Sequence, residues 1–220
     1  LHPRPSDVAF LGLGTGMTAA PVVRDERVRS ATLVELIPEV IEAGRLFSCQ
    51  NLGVLDNPKV EVRVADARRL VAGAGPKFDV IVSDLFVPWE SRSGYLYTVD
   101  FYRAVRGRLK PRGLFCQWLA LYQLGPAEFE LIADSFAAAF PQATLWWGQM
   151  DARFPMVALV GAETQLDARA ESLEARFGAA GVMPGGFDPD LSQPDDLPAL
   201  FVGRWPPRPD KQVNTDEHPR

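Results

Sequence analysis

Short apolar runs separated by amphipathic stretches mark out the first two thirds of the chain. Val8-Ala9-Phe10-Leu11 reads as a buried strand, followed by a glycine-rich turn and a helix through residues 19–23. Pro21 is tolerable there because it falls in the first helical turn. Ala31-Thr32-Leu33-Val34 gives a second strand, and Pro38 opens a helix whose expected apolar face carries Val40, Ala43 and Phe47. Residues 60–64 alternate as a third strand, and residues 78–82 form an apolar fourth. The spacing predicts a helix over residues 97–109 with Thr98 as its cap, then a fifth strand over residues 114–119. The next helix carries Phe129, Ile132, Phe136 and Phe140 on one face. Residues 144–147 and 156–160 supply two late strands, close enough to pair antiparallel. Strands alternating with helices predict an α/β fold, a mostly parallel sheet with helices on both faces and an antiparallel C-terminal strand pair. Past residue 161 the pattern weakens into an amphipathic helix over 166–177 and a Pro/Gly-rich stretch over 184–209. Residues 1–161 are therefore expected to form the core, with residues 162–220 wrapping over the same domain.

Composition narrows the chemistry. With 220 residues, 47% hydrophobic and 23% charged, the chain has the profile of one soluble globular domain, which excludes disordered and fibrous classes. No apolar run approaches the ~20 residues that span a bilayer, so no membrane contact by this segment is expected. A net charge of −5 without a Lys/Arg block argues against a nucleic-acid partner. Two cysteines, Cys49 and Cys116, are too few for a disulfide framework and point to a reducing, cytoplasmic setting, with both expected as buried structural thiols. The two histidines, His2 and His218, lie at the chain ends, so neither a His-based triad nor a His-rich metal site is expected. Catalysis must come from carboxylates, hydroxyls, amides or the backbone. The chain enters a central strand by Val8 and stops after a polar run, so it reads as a segment of something longer.

The strongest motif is Gly12-Leu13-Gly14-Thr15-Gly16, between a strand and a helix. Glycines there let the backbone turn sharply and approach a ligand closely. Glu35 ends the second strand, where a carboxylate can accept both hydroxyls of a ribose; the weaker alternative is a solvated charge before a helix. Dinucleotide folds use G-x-G-x-x-G, but Met17 stands where that last glycine would be. The G-x-G-x-G spacing resembles that of nucleoside-sulfonium binders of the methyltransferase type, where no pyrophosphate has to be cradled. Asp66 follows the third strand, placed either to accept an adenine amino hydrogen or to cap a helix. Asp84 ends the apolar fourth strand, at the carboxyl edge where open α/β sheets bind ligands.

These residues resemble the polyamine aminopropyltransferases, the spermidine synthase family, on a Rossmann-like, methyltransferase-like fold. Residues 78–84 with Tyr95-Leu96-Tyr97-Thr98 and residues 99–102 are similar to that family's catalytic strand and following helix. Residues 34–41 resemble its ribose-binding segment, and residues 213–220 a C-terminal motif of bacterial members, some of which are fused to membrane spans. The resemblance implies that Gly12, Gly14 and Gly16 line the nucleoside, Glu35 holds the ribose and Asp66 the adenine. It makes Asp84 the base or amine-orienting residue. Gln117 matches, with one residue of gap, a glutamine near the amine site, and could equally be a plain strand-end amide. Trp89 and Tyr97 could add cation–π contact to the amine. The implied donor is decarboxylated S-adenosylmethionine, the acceptor a small cationic amine such as putrescine, without a metal; a homodimer is allowed. Two positions depart from the family: Thr15 and Val87 stand where it has acids. With Thr15 neutral, intact S-adenosylmethionine becomes an allowed donor, so a methyltransferase is the alternative, and a non-catalytic nucleoside-binding domain a third reading.

Overall fold

Parallel β1 (Asp7–Leu11), β2 (Ser30–Glu35), β3 (Val60–Val64), β4 (Phe78–Ser83) and the start of β5 (Leu109–Ala120) form the centre of the sheet. A computed structural model describes residues 1–84, 93–149, 151–166, 169, 172 and 196–218. Trp89, Val87 and most of the helix expected over 166–177 lie outside the described residues. β7 (Met156–Ala162) runs antiparallel to β5, and β6 (Thr144–Gln149) antiparallel to β7. The sheet order is β3-β2-β1-β4-β5-β7-β6, followed at the edge by β8 (Phe201–Arg204).

Side chains alternate across the sheet, and the helices sort accordingly. Val8 and Phe10 of β1 pack with Val22 of α1 (Pro21–Arg24) and Ile41 of α2 (Pro38–Arg45) on one face. Ala9 and Leu11 join α3 (Ala67–Ala72), α4 (Val99–Gly107) and α5 (Pro126–Ala139) on the other. This second face is the main core. Phe136 is fully buried there, its ring 5.1 Å from Tyr102, 5.6 Å from Phe115 and 5.0 Å from Phe140. Removing that ring leaves a cavity between three aromatics, so Phe136→Ala is expected to cost about 3–5 kcal/mol, read as a lower urea midpoint. No helix among the described residues is long and apolar enough to cross a membrane.

Several local expectations are corrected. The turn after β1 gives a 3-10 turn (Met17–Ala19) and the four-residue α1 in place of one continuous helix. α2 buries Ile41 and Gly44, not Val40, Ala43 and Phe47. A side chain at Gly44 would sit 3.3 Å from the carbonyl of Gly14, so the glycine loop sets which face turns inward. β5 starts five residues early through an irregularity at its pairing with β4, where Arg112 takes φ 67°. Cys49 is exposed, and Cys116 is partly buried with its thiol pushed up to about 12, chiefly by burial. The tail contributes strand β8, paired to β6, where only a covering wrap was expected.

Candidate active site

The backbone leaves β1 through three left-handed residues, Gly12 at φ 89°, Gly14 at 52° and Gly16 at 79°. Only glycine occupies that region without a Cβ penalty. Gly14 faces open space, whereas a Cβ on Gly16 would press within 3.2 Å of the Asn51 amide. Buried Asn51 fixes the loop from beneath, donating to the carbonyls of Thr15 and Gly44 at 2.9 Å each. Its oxygen accepts from Gly53 N at 3.0 Å.

Glu35, at the end of β2, grips the same loop. One carboxylate oxygen accepts from Leu13 N at 3.1 Å, and the other accepts from Leu36 N and Ile37 N at 2.8 and 3.0 Å. A carboxylate has about four acceptor positions, so this one keeps capacity for a hydroxyl while bracing the turn. Asp66 caps α3: its Oδ1 accepts from Arg68 N at 2.8 Å and Arg69 N at 3.2 Å. With Leu36, Ala65 and Leu70 it lines a hollow of about 630 Å³.

Asp84 leaves β4 with its backbone N–H bonded to Leu11 O at 3.0 Å, which sets it beside the glycine loop. Thr18 donates its hydroxyl to Asp84 Oδ2, while Oδ1 is covered and has no hydrogen-bond partner among the described residues. Burial raises the carboxyl above the ordinary aspartate range, and the Thr18 hydrogen bond pulls it part of the way back. Tyr97, in the 3-10 turn Ser93–Tyr97, is 2% exposed, and its phenol is pushed up by burial and by the Asp84 charge.

Gln117 is fully buried opposite Ser83 and donates to the carbonyls of Ser83 at 3.4 Å and Trp118 at 3.1 Å. Gln117 Oε1, Ser83 Oγ and Gln123 Oε1 are covered polar atoms with no partner among the described residues. Tyr97 and Gln123 border a cleft of about 870 Å³, whose wall continues through Leu124, Glu128, Leu131 and Gln212. Among the described residues no cluster of His, Cys, Asp or Glu could hold a metal ion.

The structure thus brings Gly12, Gly14, Gly16, Glu35 and Asp84 together around the end of β1. Asp66 sits two strands away, beyond β2, and Gln117 lies one strand beyond Asp84. Thr18, Asn51, Ser83 and Gln123 escaped the sequence reading. Thr18 alone left a trace, a hydroxyl just past the glycine turn.

A doubly wound sheet of this order, with a G-x-G-x-G turn after β1 and an antiparallel partner for β5, defines the methyltransferase-like fold class. The model for the spermine/spermidine synthase domain matches residues 1–150, and the chain belongs to that family. It is 32% identical over 146 residues to the polyamine aminopropyltransferase of Pyrobaculum neutrophilum, covering 64% of this chain and 50% of that one. It is also 32% identical over 152 residues to the polyamine aminopropyltransferase of Thermotoga petrophila, covering 68% of this chain and 51% of that one. The chain thus spans about half the length of these curated relatives. A spermidine synthase solved with the transition-state analogue AdoDATO superposes with a TM-score of 0.69 at 26% identity, over 86% of this chain and 70% of that one. Human methyltransferase-like protein 13, solved with SAH, shares the fold at 20% identity, with a TM-score of 0.66 over 86% of this chain and 89% of that one.

Proposed function

We propose that the protein transfers an aminopropyl group from decarboxylated S-adenosylmethionine to a small cationic amine such as putrescine. The observation that carries this reading is Asp84: a carboxylate at the carboxyl edge of the sheet, beside the glycine loop, with one oxygen bonded to Thr18 and the other unpartnered among the described residues. Family membership supplies the reaction class. The glycine turn and Glu35 take the nucleoside, with Glu35 on the ribose and Asp66 toward the adenine amino group. Leu36 and Ile37, 63% and 49% exposed, offer the adenine an apolar face.

The amine attacks the propyl carbon next to the sulfonium. A C–N bond forms, the C–S electron pair returns to sulfur, and neutral methylthioadenosine leaves. The positive sulfur already makes a good leaving group, so the protein's main task is alignment. An acceptor amine attacks only through its lone pair, so a proton must leave it, and Asp84 is the acceptor for that proton. Burial helps, because it lifts the carboxyl toward the proton affinity a base needs. Tyr97 and Gln123 line the cleft assigned to the acceptor, buried Gln117 would support it from the neighbouring strand, and Trp89 would add cation–π contact.

Methyl transfer is the competing reading, favoured by neutral Thr15 in the glycine turn. Incubating the protein with each sulfonium donor and putrescine separates the two by product. Methylthioadenosine released in step with spermidine is expected. S-adenosylhomocysteine as sole nucleoside product would overturn aminopropyl transfer.

A further inference from the structure

We propose that residues 214–216 form a clasp that holds the two halves of the active site in register, with Asp216 as a positioning residue. The inference rests on the nucleoside-binding reading above. Asn214 is 1% exposed and ties three elements together. Its backbone N–H donates to Ser135 Oγ of α5 at 2.7 Å, and its carbonyl accepts from Val99 N at the start of α4 at 2.8 Å. Its side-chain amide donates to the carbonyls of Gly94 at 3.2 Å and Tyr97 at 3.4 Å. Two residues on, the Asp216 carboxylate accepts from Thr98 Oγ1 at 2.7 Å and pairs with the guanidinium of Arg68. The Asp216 N–H donates to Asp100 Oδ2 at 3.0 Å.

Arg68 carries the clasp to the nucleoside side. It belongs to α3, and its backbone N–H is one of the two that hold the Asp66 carboxylate. Its guanidinium donates to Tyr95 O at 2.6 Å and lies 5.6 Å from the Tyr95 ring centre. A five-residue 3-10 turn has weak internal hydrogen bonding. In Ser93–Tyr97 the carbonyls of Gly94, Tyr95 and Tyr97 are instead held from outside, by Asn214 and Arg68. That turn delivers buried Tyr97 to the wall of the cleft it shares with Gln123. One short segment therefore sets the distance between α3, with Asp66, and the turn that carries Tyr97.

Side chains of the Arg68–Asp216 pair are each about one-third exposed, and such pairs add little to global stability. Loss of the clasp should thus register in the site more than in the melting curve. The test uses Asp216→Asn and the conservative Asp216→Glu, with 5′-methylthioadenosine as the probe in titration calorimetry. Asp216→Asn is expected to weaken binding about tenfold while the melting midpoint moves by about 2 °C or less, because a pair still one-third open to solvent is screened and adds little. Asp216→Glu is expected to recover most of the affinity. Arg68→Gln cuts the same clasp from the α3 side and serves if Asp216→Asn fails to fold. Binding within twofold of wild type in a folded clasp variant would overturn the proposal, whatever its midpoint. Failure of the wild-type protein itself to bind methylthioadenosine or S-adenosylhomocysteine would instead sink the nucleoside reading on which the clasp depends.

Discussion

Asp84→Asn will lower turnover by about 10²- to 10⁴-fold, the range expected when a positioned proton acceptor is lost, while methylthioadenosine binds nearly as in wild type. The substitution keeps shape and keeps an oxygen for Thr18 to donate to, so the local scaffold survives. What disappears is the basic site. The same variant should melt higher than wild type at pH 7. Burial raises the folded-state pKa of Asp84 above its unfolded value, so the native protein holds its proton more tightly than the unfolded chain does. Stability is then lost as pH rises from the unfolded carboxylate range through the raised folded value, and the penalty persists above it. Asparagine carries no such penalty. The stability gain of Asp84→Asn should vanish below the unfolded carboxylate range, where wild-type Asp84 is protonated in both states. Turnover within tenfold of wild type would remove Asp84 from the chemistry.

Such a residue stood out in the sequence because it breaks a strongly apolar strand at the edge where ligands bind. The central strands were legible for the same reason: both faces are covered, so each reads as a short apolar run. β8 was not, because Phe201, Val202 and Arg204 are exposed and no burial pattern marks the segment. The inward face of α2 was misjudged because Gly44, with no side chain to mark it as apolar, packs beside Ile41 against Leu55 and the glycine loop. The groups that orient the site were hidden for another reason. Thr18 meets a partner 66 residues away and Asn51 one 36 residues away. A polar residue whose partner lies that far along the chain looks like any other surface residue until the sheet brings the two together.

Glu35 presents the opposite problem, a residue with two duties that a simple substitution confuses. Its carboxylate braces the glycine turn through Leu13 N–H and, in the proposed function, also accepts from the ribose. Glu35→Ala is expected to weaken methylthioadenosine binding by about 100-fold, since hydrogen bonds to a charged group contribute about 1.5–3 kcal/mol each. The maximal rate at saturating donor should change far less, because the ribose lies away from the reacting carbon. Loop collapse alone could produce the same loss of affinity, so the ligand must be changed as well. Removing ribose hydroxyls from the nucleoside should cost the wild-type protein affinity but cost Glu35→Ala almost nothing, because the partner is already gone. That non-additivity isolates the direct contact from the loop effect. Equal penalties for the deoxygenated nucleoside in both proteins would assign Glu35 to the loop alone and leave the ribose to be held by other groups.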